Sequence, residues 1–252
     1  MYKILASTLF FGKNIVFVPE CHSTNTLLLD LAQRTSQPEG TLVISNKQTQ
    51  GRGQRGNGWE TEDGKNLTMS LLLKPTFLSI KDQFYLTIAV SLGVHDFLVQ
   101  RLVGDVKIKW PNDVMVGEKK ITGILIENSL AGEKLQQSVV GIGLNVNQKV
   151  FSVGIATSMA LEVKKEFDLS TELNFLMERV EKRYLQLRSG KNVELKEAYL
   201  KNLYRIGEEH VFTSNGQRLT GKIEGVDESG KLKINSSGQV ASFGLKEISF
   251  AR

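Results

Sequence analysis

The sequence predicts an α+β protein of two unequal parts, with strands and helices interspersed through residue 204 and a small all-β barrel from residue 205 to residue 252. Three observations carry this reading. Short apolar runs of strand length are separated by longer stretches with helical spacing of leucines. Glycine and proline punctuate the junctions. After Gly207 the helical spacing stops, and turn dipeptides recur every few residues. At 252 residues and 40% hydrophobic, the chain is long enough for one large core with a small appended unit.

Taken in order, residues 15–18 form a short strand that should end at Pro19, and Ser23-Thr24-Asn25 offers capping side chains ahead of Leu27, Leu28 and Leu31. Residues 41–45 make a strand that enters a glycine-rich loop. Leu67, Met69, Leu71 and Leu73 alternate with smaller or polar residues, the pattern of a half-buried strand that stops before Pro75. Phe84, Ile88 and Leu92 mark a helix over residues 80–101. Residues 106–110, 121–127 and 138–144 are strands, and Gly117-Glu118 turns a hairpin between residues 113–116 and Lys120. Helices over 171–188, closed by Gly190, and 193–204 follow. Asn215-Gly216, Glu228-Ser-Gly230 and Ser237-Gly238 then punctuate the β-rich tail.

No apolar run reaches the ~20 residues of a membrane span, and the N-terminus lacks the features of a secretory signal, so a cytoplasmic protein is expected. One cysteine, Cys21, excludes an intrachain disulfide. Cys21-His22 has no partner cluster of Cys or His, so no structural metal is expected. The net charge of +5 suits an anionic ligand. The basic residues are dispersed, which argues against specific DNA binding.

Chemistry concentrates in a few motifs. Gly51-Arg-Gly-Gln-Arg-Gly-Asn-Gly-Trp59 combines four glycines, two guanidinium groups and an indole. Glycines let the backbone approach a ligand, arginines fork onto phosphate or carboxylate, and Trp59 offers a face for stacking. Taken alone, such a loop reads more simply as a solvated basic surface. Lys109-Trp110-Pro111-Asn112-Asp113 ends one strand and starts another. Proline ejects Asn112 and Asp113 at a strand end, where they could serve a ligand or simply form a turn. Lys120, at the head of an apolar strand three residues before Gly123, must snorkel to solvent or meet a bound anion. Gly141-Ile-Gly143-Leu-Asn145 ends a buried strand. It lacks the third glycine and following helix of a dinucleotide fingerprint, and reads instead as a strand that admits a ligand.

Together these motifs resemble the biotin protein ligases. The matching pieces are Ser23-Thr24-Asn25, Gln48, the loop from Gly51 to Trp59, Lys109-Trp110-Pro111-Asn112-Asp113, Lys120 with Gly123, and Gly141 to Asn145, in family order over residues 15–147. The resemblance implies a mixed β-sheet flanked by helices, of the class II synthetase-like kind, and a C-terminal SH3-like barrel. It implies two steps: biotin and MgATP give biotinyl-5′-AMP, and a lysine of the biotin carboxyl carrier domain of acetyl-CoA carboxylase, or of a related carboxylase, takes the acyl group. By resemblance, Ser23, Thr24, Asn25 and Gln48 face biotin together with Gly51, Gly53, Gln54, Gly123 and Gly143. Arg52 and Lys120 are catalytic and touch both biotin and nucleotide. Arg55, Trp59, Asn112 and Asn145 contact the nucleotide, and Asp113 supports magnesium indirectly. Two departures follow from the same likeness. The chain begins at the catalytic part, so no DNA-binding repressor function is expected. Glutamine at position 54 stands where the family commonly has arginine. A monomer or homodimer is expected. Lipoate–protein ligase is the nearest alternative, disfavoured by the polar set at Ser23-Thr24-Asn25 and Gln48, and a nucleic-acid or peptide binding module is the alternative of another class.

Overall fold

A computed structural model describes residues 2–152 and 155–251, apart from the side chain of Arg55. The first sheet has seven strands: β1 (Ile15–Cys21), β2 (Leu42–Gln48), β3 (Leu67–Leu73), β4 (Val106–Lys109), β5 (Asp113–Val116), β6 (Lys119–Ala131) and β7 (Lys134–Leu144). Their order is β1-β2-β3-β7-β6-β5-β4. β1 and β2 are parallel and every other pair is antiparallel, so the sheet is mixed. β1 runs past Pro19, contrary to the expected stop. It is an edge strand, and a proline whose missing N–H faces away from the ladder is tolerated there.

Helix α1 (Thr24–Arg34) covers one face of this sheet, packing Leu28 against Val43, Leu72 and Val139. The other face carries α2 (Phe84–Val99), α4 (Leu169–Arg188) and α5 (Asn192–Lys201). α2 is apolar nearly all round because it lies between the sheet and α4. At their crossing, a Cβ on Gly93 would sit 2.5 Å from the Val180 Cα, so glycine sets how closely the two helices approach. α2 starts at Phe84 rather than at residue 80; residues Ile80–Asp82 form a 3-10 turn in which Ser79 Oγ accepts from Asp82 N–H. The short α3 (Met159–Val163) has no counterpart in the sequence reading, since five residues carry too little periodicity. The Glu181 carboxylate of α4, only 4% exposed, accepts the backbone N–H groups of Leu9, Phe10 and Phe11 and so holds the N-terminal segment.

β3 is buried along its whole length, not half-buried as its alternation predicts. Its small polar residues Thr68 and Ser70 are covered by the start of α1 and by the glycine-rich loop, and Ser70 hydrogen-bonds there.

The second sheet is antiparallel and barrel-like. Its strands are β8 (Glu209–Ser214), β9 (Gln217–Val226), β10 (Leu232–Ser236), β11 (Gln239–Phe243) and β12 (Ser249–Phe250), in the order β11-β10-β9-β8-β12. Asn215-Gly216 and Ser237-Gly238 each take positive φ at both positions, the geometry of a tight two-residue hairpin. Phe212, Ile223, Leu232 and Ile234 of this sheet belong to the same hydrophobic cluster as α2 and the first sheet. Trp110 Nε1 donates to Gly230 O at 2.8 Å across the seam. Among the described residues, no helix is long and apolar enough to cross a membrane.

Candidate active site

Strand register builds the floor of a cleft. Thr68 of β3 pairs with Gly143 of β7, Gly143 with Gly123 of β6, Gly123 with Asp113 of β5, and Asp113 with Lys109 of β4. This row crosses the sheet on the α1 face, and all five residues line a cleft of about 1100 Å³. Two glycines in the middle sink the floor into a trough. The Trp59 indole lies in it: a Cβ on Gly143 would meet Trp59 Cε2 at 2.3 Å, and one on Gly123 would meet Cζ3 at 2.9 Å. Trp59 Nε1 is buried with no hydrogen-bond partner among the described residues. Gly141 lines the cleft too, and it has a second purpose. A Cβ there would be 2.4 Å from Asn25 Oδ1, so Gly141 makes room for Asn25.

The cleft is neutral and hydrogen-bonding at one end. Ser23 precedes α1 in extended conformation without a side-chain capping bond. Gln48 Oε1, at the end of β2, instead accepts from Thr24 N–H at 2.8 Å and Thr24 Oγ1 at 3.1 Å. Ser70 Oγ lies 2.8 Å from Thr24 Oγ1 and 2.5 Å from Asn25 Oδ1. Asn25 Nδ2 donates to Glu127 Oε2 at 2.7 Å, fixing the orientation of its amide. Ser70 and Glu127 were not foreseen. Glu127 had a signal, because alternation from Gly123 through Leu125 puts it on the same face.

The glycine loop folds over this end. Trp59 N–H donates to Gly51 O at 2.9 Å and Gly53 N–H to Asn57 O at 2.7 Å, with a 3-10 turn at Gln54–Gly56 between. Arg52 places one guanidinium nitrogen, Nη2, 3.1 and 2.9 Å from the two oxygens of Glu127. Gly53, Gln54, Asn57 and Gly58 line the cleft, whereas Gly51 lies behind it. The side chain of Arg55 is outside the described part of the structure.

Charge gathers at the middle and far end. Lys120 Nζ lies 2.7 Å from Asp113 Oδ1 and 5.4 Å from the Trp59 ring centroid. Lys120 therefore has an acidic partner on the neighbouring strand that the sequence did not show, while its side chain, 32% exposed in the cleft, also reaches solvent as one of the two expected alternatives required. Its backbone pairs with residues 155–157, since Lys120 N–H donates to Ile155 O and Thr157 N–H to Lys120 O. Asn112 Nδ2 donates to Ile124 O at 2.6 Å, and Asn112 O accepts from Ile124 N–H. Asn145 stands beneath the cleft rather than on its wall. Its Nδ2 holds Thr157 O at 3.0 Å, and its buried Oδ1 has no partner among the described residues. No group of three or more His, Cys, Asp or Glu able to cage a metal occurs among the described residues.

A model of the biotin/lipoate A/B protein ligase family matches residues 18–145, just over half of the chain. The chain belongs to that family. Its sequence is 29% identical over 232 residues to the bifunctional ligase/repressor BirA of Bacillus subtilis, spanning 90% of this chain and 70% of that protein. It is 28% identical over 228 residues to the biotin–[acetyl-CoA-carboxylase] ligase of Mycobacterium tuberculosis, spanning 88% and 83%. The fold superimposes on the biotin protein ligase of Aquifex aeolicus in complex with biotin and ATP with a TM-score of 0.79 at 28% identity, covering 95% of this chain and 99% of that one. The matched residues 18–145 contain the whole floor row and both ends of the cleft lined by the first sheet.

Proposed function

We infer that the protein is an ATP-dependent biotin ligase that acts through biotinyl-5′-AMP. The observation that carries this is one cleft with a neutral hydrogen-bonding end and a cationic middle, joined by a glycine trough. Thr24, Asn25, Gln48 and Ser23 offer donors and acceptors suited to the ureido ring of biotin. A lipoyl dithiolane has no strong donors or acceptors to match this polar set, whereas a ureido ring has both. The valeryl chain would follow the trough, and its carboxylate would arrive between Arg52 and Lys120.

The reaction needs no protein nucleophile. A biotin carboxylate oxygen attacks the α-phosphorus of ATP, a carboxyl–phosphate bond forms, and the bond to the β-phosphate breaks with release of pyrophosphate. Lys120 and Arg52 hold the two reacting anions together and stabilise charge that grows on the phosphoryl oxygens. Asp113 and Glu127 keep those cations aimed before substrate binds. In the second step a lysine amine attacks the acyl carbon and AMP leaves. Asn112, Asn145 and Arg55 serve the nucleotide, and Gly51, Gly53 and Gln54 shape the loop over the intermediate. Trp59 lifts from the trough as ligand enters and then covers it. A single carboxylate, Asp113, beside phosphate oxygens suits a magnesium ion carried in by ATP rather than one held by the protein alone. The acceptor is the lysine of a biotin carboxyl carrier domain. In this reading residues 1–204 form the catalytic unit and residues 205–252 the appended barrel.

The test is incubation with biotin, ATP, magnesium and a carrier domain, read by mass spectrometry of the carrier. Addition of one biotin to one lysine is expected. Equal use of lipoate, or absence of ATP-dependent modification, would refute the reading.

A further inference from the structure

Lys109 and Arg205 lie at the far end of the cleft, and the chemistry described above gives neither of them a task. Lys109 ends β4, and its ammonium is 5.1 Å from the Phe250 ring and 5.9 Å from the Tyr204 ring. Arg205 follows α5, and its guanidinium carbon is 4.9 Å from Tyr204 and 5.5 Å from Phe250. The two cations thus share one aromatic platform, contributed by the α5–β8 connection and by β12. Both line the same cleft as Lys120 and Arg52.

Arg205 is held in place at some conformational cost. Its φ is +59°, in the left-handed region that a residue with a Cβ disfavours. Its Nη2 donates to Glu118 Oε1 at 2.5 Å and its Nη1 to His210 Nδ1 at 3.2 Å, while His210 Nε2 faces Glu208 at 3.0 Å. These bonds occupy two of the five N–H donors of a guanidinium. Lys109 has no carboxylate within ion-pair distance among the described residues. Burial, with Arg205 and Lys120 nearby, holds its ammonium below the usual lysine range. Three cations face the far half of the cleft against the carboxylates of Asp113 and Glu118, and Thr213 and Ser249 add hydroxyls to its wall.

We propose that Lys109 and Arg205 form a subsite for the two terminal phosphates of the nucleotide, and for the pyrophosphate that leaves. The inference rests on the ligase reading and extends it. Lys120 and Asp113 fix where the α-phosphate reacts, and the leaving group must then extend along the row toward Lys109 and the aromatic platform. Two phosphates carry more charge than Lys120 can balance beside Asp113, and a partly buried, unpaired lysine gains most from such a ligand. The second sheet then takes part in the first step by supplying Phe250 to position both cations.

The test is calorimetric titration of the full-length protein with inorganic pyrophosphate and, separately, with biotin. Variants are Lys109→Gln, Arg205→Lys, and Arg205→Asn, which suits the left-handed backbone. Losing one charge-assisted contact should weaken pyrophosphate binding by about tenfold or more in Lys109→Gln and Arg205→Asn. Arg205→Lys should fall between Arg205→Asn and wild type, and biotin affinity should stay within about twofold throughout. Pyrophosphate affinity unchanged in both charge-removing variants would overturn the subsite, as would an equal loss of biotin affinity. Biotin-dependent release of pyrophosphate from ATP by the wild type separates the two ideas. Release with unaltered variants sinks the subsite alone, and no release sinks the ligase reading beneath it.

Discussion

Gly143→Ala tests the trough directly. The added methyl would stand 2.3 Å from Trp59 Cε2 and 2.6 Å from Nε1, on a β7 backbone that any residue can adopt. The ladder of β3, β7 and β6 has no reason to move, so the indole must. Forcing a methyl under a packed ring costs about 1–3 kcal/mol if the ring stays. If it leaves, the half-buried indole gives up roughly 100 Å² of apolar contact, or about 2.5 kcal/mol at 25 cal/mol per Å². The penalty falls on docking of the 51–59 loop, because Trp59 is tied to the rest of the sheet only through that loop. The two routes together predict roughly fivefold to 150-fold weakening of the docked loop with an almost unchanged melting temperature. Gly123→Ala, whose methyl would reach only the ring edge at 2.9 Å, should cost less. Fluorescence in a Trp110→Phe background reports Trp59 alone, since the chain has two tryptophans. A red shift in Gly143→Ala, smaller in Gly123→Ala, is expected, with loop cleavage by protease in the same order. Wild-type emission and cleavage in Gly143→Ala would refute the reasoning.

Lys120→Ala should lower the rate of biotinyl-AMP formation about a hundredfold, roughly 3 kcal/mol of lost charge stabilisation. The fold should persist, and near-normal pyrophosphate release would show that Lys120 is not catalytic. Glu181→Ala strands three backbone N–H groups and should cost about 3 kcal/mol, a fall of some 6–12 °C in melting temperature; a change under 2 °C would contradict the anchoring of the N-terminal segment. Because burial lowers the Lys109 pKa, the charged lysine weakens the fold below its folded pKa, and the penalty fades as pH rises through that value toward 10.5. Lys109→Met should therefore raise the melting temperature at pH 7, with the gain shrinking in the alkaline window; a gain that grows with pH would reverse the assignment. Gln54→Arg adds a guanidinium to a loop that already carries Arg52, so adenylate release should slow only a fewfold. Slowing by about a hundredfold, measured by chasing labelled adenylate, would mean the natural loop holds its intermediate poorly.

The parts of the site carried by local chemistry were legible in the sequence. The glycine loop, the Pro111 turn and the hairpins at Asn215-Gly216 and Ser237-Gly238 each need particular residues at particular φ, and they appear where those residues stand. What escaped depended on strand register. The pairing of Lys120 with Asp113 follows from a bulge between Val114 and Met115, which no pattern announces. Glu127 meets Arg52 from 75 positions away and is visible only once β6 is known to run beneath the loop. Gly141 and Gly143 look alike in sequence, yet one accommodates Asn25 and the other Trp59, because neighbouring rows of one sheet face different covers. Arg205 carries no motif at all. Pro19 misled in the opposite direction, since whether proline ends a strand depends on the strand lying at an edge.

The shared hydrophobic cluster beneath the two sheets bears on how the molecule comes apart. Phe84 of α2 packs so tightly under Gly230 that a Cβ there would come within 2.2 Å of its ring, and Tyr199 of α5 stacks edge-on against the same ring at 6.0 Å. Residues that roof the cleft from the second sheet are thus seated on the core that the first sheet needs to be stable. A molecule with one such shared core is expected to melt in one transition rather than two. The C-terminal strands therefore act as a cover for part of that core, and a chain cut before Glu209 should expose Phe84 and Tyr199 and melt at a lower temperature.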